Sequence, residues 1–138
     1  MRGFFKNRGY EDSADLTKDE VMHLPRGPYL KLFRYDPKQM FDKPDTAKLK
    51  NEKALNEAGK FLETEKYGIA VVAVSAGMKG DTDKERKLTQ ARSSVVREYL
   101  VNNFRLDDTK LKTIGLGKSD ENGSVEIVVY PAGERAER

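Results

Sequence analysis

Hydrophobic and polar positions change their period several times along the chain, and each change marks an element. Tyr29–Tyr35 (YLKLFRY) alternates weakly and is rich in aromatics, which predicts a strand. Tyr67–Ser75 (YGIAVVAVS) is a nearly unbroken apolar run, the pattern of a strand buried on both faces. Ser124–Tyr130 (SVEIVVY) alternates cleanly, with Val125, Ile127 and Val129 on one face. A brief strand is expected at Leu111–Leu116, after a short turn over Leu106–Leu111. Gly115-Leu-Gly117 and the polar stretch Lys118–Gly123 then read as a turn. Between the strands, Ala54, Leu55, Ala58, Phe61 and Leu62 recur at helical spacing. That helix should start from an Asp45 or Thr46 cap and run to about Lys66. A second helix is expected from about Asp83 to Phe104, while Asp36–Pro44 and Gly77–Asp83 read as loops.

The order is therefore strand, helix, strand, helix, strand, strand. Two helices cannot cover both faces of such a sheet, so the economical arrangement is an α+β two-layer sandwich. Both helices then lie on one face of a mixed sheet of about four strands. If the first two strands are parallel, their connection is a right-handed crossover. This domain is expected over residues 29–131. Residues 1–28 are polar and without sustained periodicity, and read as a partly ordered leader. Within it Thr17-Lys-Asp-Glu20 has capping-box spacing, which places a short helix at Thr17–Leu24. Pro25-Arg-Gly-Pro28 breaks the chain after it. Residues 132–138 form a charged tail expected to be disordered.

The second helix carries an anomaly. Advancing about 100° per residue from Leu88 brings Ala91, Val95, Val96 and Tyr99 onto one core-facing arc. Arg92 lands inside that arc, about 40° from Leu88, whereas Arg97 falls on the solvated side. Two readings follow. Arg92 snorkels or pairs with a buried acid and stabilises the fold. Alternatively, its guanidinium emerges from the seam between sheet and helix to grip a carboxylate bidentately.

Composition narrows the chemistry. Of 138 residues, 37% are apolar and 36% charged, enough for one folded domain with a heavily solvated surface. The net charge of +3 is mild and interspersed, so no basic stripe suggests a nucleic-acid partner. Without cysteine, disulfides, thiolate chemistry and Cys-based metal sites are excluded. No apolar stretch approaches the roughly 20 residues of a membrane span. Met1–Lys6 lacks the apolar region of a signal peptide, so any export leader or anchor is expected to lie outside this chain.

The remaining motifs are mostly negative. His23 is the sole histidine and reads as a surface residue, which leaves no Ser-His-Asp triad and no zinc site. Asp81-x-Asp83-x-Glu85 opens like a calcium loop, but Arg86 occupies the obligatory glycine position. Gly115-x-Gly117 has no third glycine and no following helix, so it is no dinucleotide fingerprint. Asn122-Gly-Ser124 is a glycosylation sequon only in a eukaryotic secretory pathway. No acid/base pair can be argued. The expectation is a non-enzymatic module without catalytic residues, metal or cofactor.

Leu88-Thr-Gln-Ala-Arg92-Ser-Ser-Val95-Val-Arg-Glu-Tyr99-Leu100 resembles the second-helix signature of OmpA-like C-terminal domains. That pattern is Leu-Ser-x-x-Arg-Ala-x-x-Val-x-x-Tyr-Leu, shared with MotB and the peptidoglycan-associated lipoproteins. Leu106–Gly117 is similar to the family's turn and Gly-x-Gly strand end, and Asn122–Ile127 to its last strand. Phe41-Asp42, the Asp45–Lys66 helix and the Tyr67–Ser75 strand fit its first half, so the resemblance covers about Tyr29–Tyr130. It implies the OmpA-like fold, a bacterial cell-envelope role and a periplasmic location, with outer-membrane association open to a longer protein. Membrane contact would come only through a segment outside this chain.

The resemblance also implies non-covalent binding of peptidoglycan through the diaminopimelate of the stem peptide. The family's carboxylate-binding arginine maps onto Arg92, whereas its ammonium-binding aspartate maps onto Gly77 and is missing. Asp81, Asp83 or Glu85 would have to replace it. The family's loop asparagine falls near Glu85, Asn122 opens the last strand, and the terminal arginines are replaced by Gly123 and Ser124. The missing aspartate favours a structural or protein-interaction domain with another envelope protein as partner. The alternative is divergent peptidoglycan binding through Arg92.

Overall fold

Val125, Ile127 and Val129 do share one fully buried face, and the strand that carries them is the hub of the sheet. In this computed structural model residues 14–22, 24, 28–119 and 122–132 are described. His23, residues 25–27 of the expected break, residues 120–121 of the turn and the tail from 133 lie outside them. The elements are α1 (Lys18–Met22), β1 (Lys31–Tyr35), α2 (Pro37–Met40), α3 (Asn56–Thr64), β2 (Ile69–Gly77), α4 (Thr82–Asn103), β3 (Leu111–Lys118) and β4 (Asn122–Tyr130). Short 3₁₀ turns at Glu52–Leu55 and Asp108–Lys110 lead into α3 and β3.

The sheet order is β1-β4-β2-β3. β4 is antiparallel to both β1 and β2, which are therefore parallel to each other, and β3 runs parallel to β2. The register lines up Phe33, Ile127, Val72 and Thr113 across all four strands. Leu55, Ala58 and Leu62 from the first helical segment join Val96 and Leu100 of α4 in one cluster with Phe33, Ala70, Val72, Val74 and Leu111. Both long helices thus cover the same face, giving the α+β two-layer architecture. Each buried Val, Leu or Phe among them contributes roughly 1.5–3 kcal/mol. The reverse face is less covered than an unbroken apolar run suggests: Val71 is buried there, but Ile69 and Ala73 only partly.

Helix starts follow their caps. Thr17 and Glu20 form the reciprocal capping box, with Glu20 N donating to Thr17 Oγ1 at 3.1 Å and Thr17 N to Glu20 Oε1 at 2.9 Å. Asp81 caps α4 by accepting from Lys84 N at 3.0 Å. The helix expected from Asp45 or Thr46 begins only at Asn56. Residues 42–50 instead close a loop through Asp42 N to Lys48 O, Lys50 N to Met40 O and the Phe41–Leu49 bridge. In the expected Asp36–Pro44 loop, Asp36 caps a single helical turn that buries Met40.

The helical arc is also turned from its expected position. The buried residues of α4 are Thr89, Arg92, Ser93, Val96 and Leu100; Ala91 is exposed, and Leu88, Val95 and Tyr99 are only partly buried. The reason lies in β3. A Cβ at Gly115 would stand 2.4 Å from Gln90 N, so only glycine lets the helix backbone approach there. Close approach lets polar side chains serve the strand: Gly115 N donates to Gln90 Oε1 and Gly117 N to Thr89 Oγ1, both at 2.9 Å. Arg97, expected on the solvated side, donates to Leu111 O at 2.7 Å and Asp108 O at 2.9 Å.

Residues 14–16 reach the same seam. Leu16 N donates to Thr113 O and Thr113 N to Ala14 O, which makes a parallel bridge on the outer edge of β3. Asp15 Oδ1 accepts from Thr113 Oγ1 at 2.6 Å and from Gln90 Nε2. At the far edge, the Tyr35 hydroxyl is buried with no hydrogen-bond partner among the described residues. Burial, with Glu57 adding to it, pushes the Tyr35 pKa up to about 12.

Two outcomes follow for stability. Gly115→Ala forces the helix and strand backbones apart and should cost about 1–3 kcal/mol in urea denaturation. Tyr35→Phe removes a desolvated hydroxyl that gains nothing in return, so its stability in urea denaturation should be equal or higher, by up to about 1 kcal/mol.

Candidate binding site

Where β2 ends and β4 begins, the sheet runs out beneath α2 and the loop after it. The gap between them and α4 is a cavity of about 220 Å³. Ser75, Ala76 and Gly77 line it from β2, and Asn122 and Gly123 from β4. Glu85 and Arg92 enter from α4, and Lys38, Phe41, Asp42 and Lys43 from the opposite wall. Gly123 has φ +76, and a Cβ there would stand 2.9 Å from Ser75 O. The floor is therefore bare backbone, braced by a buried Ser75–Ser124 hydroxyl contact of 3.1 Å.

Arg92 is the fixed point of this cavity. Only 7% of it is exposed. Its Nε donates to Thr46 O at 2.7 Å, and one terminal nitrogen donates to Lys43 O at 2.9 Å and Pro44 O at 3.1 Å. The guanidinium carbon sits 4.4 Å from the centre of the Phe41 ring, a cation–π stack against a fully buried phenylalanine. One edge of the fork is thus held by the protein's own carbonyls. The second terminal nitrogen has no hydrogen-bond partner among the described residues. Burial pushes the Arg92 pKa down, while Glu85 and then Asp45 push it back up. A guanidinium stays charged under such opposing pressures.

Neither sequence reading of Arg92 describes it alone. Among the described residues no acid salt-bridges it directly, yet the side chain is structural as well as cavity-lining. Of the residues singled out with it, Gly77, Glu85 and Asn122 meet it around the cavity. Gly77 is the last residue of β2, opposite Asn122 of β4, so the strand-end position has no side chain. Asp81 and Asp83 lie outside the lining. The first commits its carboxylate to the helix cap and the second is exposed in the first turn.

Sequence reasoning missed Lys38, Asp42 and Lys43 as neighbours of Arg92, along with the carbonyls that clamp it. Carbonyls leave no signature in residue identity. The pairing of Pro37 and Pro44 around Phe41-Asp42 was the available hint, because such a segment resists being helical throughout. Lys38, Lys43 and Arg92 outnumber Asp42 and Glu85 in the lining, which suits an anionic ligand group. The bare floor lets that group approach the backbone.

The fold recurs in solved structures. An outer membrane protein from Borrelia burgdorferi B31 superposes with a TM-score of 0.59 at 18% identity, covering 72% of this chain and 86% of that one. The periplasmic domain of Helicobacter pylori MotB gives 0.64 at 10% identity, over 77% and 79% of the two chains. The OmpA-like domain of FopA1 from Francisella tularensis subsp. tularensis SCHU S4 gives 0.56 at 21% identity, over 74% and 73%. A search of the curated proteins finds no match. The family model described as the OmpA family matches residues 40–124, more than half of the sequence, and the chain belongs to that family.

Proposed function

We propose that this chain is a non-catalytic cell-envelope binding module whose Arg92 cavity takes a carboxylate of the peptidoglycan stem peptide. The single observation that carries the reading is the half-committed guanidinium. Three of its hydrogen bonds go to the 43–46 loop, which fixes its plane at no further entropic expense when a ligand arrives. The free terminal nitrogen keeps two donors for a carboxylate oxygen, and a charge-assisted bond of this kind is the stronger sort. Membership of the OmpA family and the envelope proteins among its structural relatives support a periplasmic setting. The binding unit is residues 29–131, with 1–28 as its leader and 132–138 as a charged tail. In this reading Asn122 and the backbone at Gly77 complete the carboxylate's surroundings, and Glu85 is the acid for any ligand ammonium. Asp81 and Asp83 have no part in it.

A second reading is favoured by Gly77. With no acid at the strand end, the module would be a structural or protein-interaction domain with an envelope protein as partner. Titration with a diaminopimelate peptide separates the two. Saturable chemical-shift changes around Arg92 at micromolar to low millimolar peptide support binding, whereas unmoved resonances there refute it.

Arg92→Lys keeps a charge but cannot hold both the loop and a ligand, so retention on purified sacculi should fall about tenfold or more. Retention of this variant at the wild-type level would refute the Arg92 assignment. Arg92→Ala strands the Lys43, Pro44 and Thr46 carbonyls and should also destabilise the fold by roughly 2–4 kcal/mol in urea denaturation.

A further inference from the structure

The wall of the Arg92 cavity at the strand ends is uncharged. Among the described lining residues, Ser75, Ala76 and Gly77 of β2 and Asn122 and Gly123 of β4 carry no titratable group. The charged residues of the lining come from α4 and from residues 38–43 instead. We infer that the uncharged wall receives an acylated nitrogen beside the ligand carboxylate, and that Gly77 and Asn122 set this preference over a free ammonium. The inference rests on the reading of Arg92 as a carboxylate anchor and deepens it by naming the ligand class. That class is an N-acylated amino-acid carboxylate, the form a diaminopimelate amine takes once an amide bond joins it to another peptide.

Gly77 supplies the room. Among the described glycines a left-handed φ is confined to Gly80, Gly117 and Gly123, so the backbone of β2 does not require glycine at its end. What glycine does there is leave the strand end without a side chain, and a ligand can extend across it. Asn122 supplies the complement. It is the register partner of Gly77, and partners across an antiparallel pair project to the same face. Asn122 is exposed, and its side-chain amide is bonded to no described residue. Its oxygen can accept from an acylated N–H while its nitrogen donates to the acyl carbonyl. An ammonium meets no such match on this wall. The Glu85 carboxylate lies against Gly80 in the loop beyond β2, where an added Cβ would stand 2.7 Å from its Oε2. Asp42 belongs to the opposite wall. A desolvated charge without an anion beside it costs more than an amide whose hydrogen bonds are made.

The test uses the full chain and two synthetic diaminopimelate peptides. One keeps the free ammonium beside the side-chain carboxylate; the other is identical except that this nitrogen is acetylated. The wild type should bind the acetylated peptide about fivefold more tightly, the value of one neutral hydrogen bond. Asn122→Ala should bring the ratio of the two affinities toward one. Gly77→Asp puts a carboxylate on the wall and should invert the ratio in favour of the free amine, with circular dichroism verifying the fold of both variants. Equal wild-type affinities, tighter binding of the free amine, or a ratio that neither variant changes overturns the inference while leaving the Arg92 reading intact. Failure of the wild type to bind either peptide overturns both.

Discussion

The guanidinium of Arg92 organises this end of the molecule because it lies where a helix ordinarily presents an apolar side chain. A charge at that depth is tolerable only if its donors are bonded or open to a cavity and its desolvated face is matched. The 43–46 loop supplies the carbonyls and Phe41 supplies the face. The loop in turn cannot be helical, since a helix through Thr46 would point that carbonyl along its own axis. Arg92 thus ties the 43–46 loop to α4 beside the buried Phe41, at the margin of the cavity between α4 and the ends of the strands.

A second constraint acts further up the same helix. Thr89, Gln90 and Ser93 occupy positions that an amphipathic helix would normally fill with hydrocarbon, and the strand opposite answers with Gly115 and Gly117. Polar side chains here replace a neighbouring strand, taking backbone amides that the sheet leaves unpaired. The apolar core shifts toward α3 and the middle of the sheet, where Leu100, Val96 and Leu62 meet β2 and β4. Polar seam and hydrophobic core divide the length of α4 between them.

The legible parts of the sequence were those with strong local periodicity. Strands β1, β2 and β4, the existence of α4 and the capping box at Thr17 follow from patterns that need no tertiary context, whereas β3 was expected to be briefer than its eight residues. The layered architecture followed from their order. What misled was anything governed by contacts distant in sequence. The Ala54–Leu62 periodicity is real, but its start was placed too early, because the pull of Arg92 on Thr46 acts across 46 positions. The arc on α4 was centred wrongly because hydrophobicity was the only criterion, and Thr89 and Ser93 are buried for their hydroxyls. Arg97 was read as solvated although its acceptors are carbonyls in the turn before β3. Of the residues around the cavity, Arg92 stood out from the helical period, whereas Gly77, Glu85 and Asn122 were reached only through the family resemblance. Lys38 and Asp42 were not reached at all, since nothing marks which loop folds back onto a helix.

The bridge between Asp15 and Thr113 of β3 bears on solubility. An open sheet exposes two edges, and unpaired amides there invite another chain to add a strand. Along β3 the alternate amides of Thr113, Gly115 and Gly117 are taken by Ala14, Gln90 and Thr89 in turn, so this edge presents a stretch already occupied. The opposite edge, β1, is shorter and carries Lys31 and Arg34, which blunt it by charge. The molecule thus guards its two margins by different means: one is sealed by residues 14–16 and the side chains of α4, and the other repels.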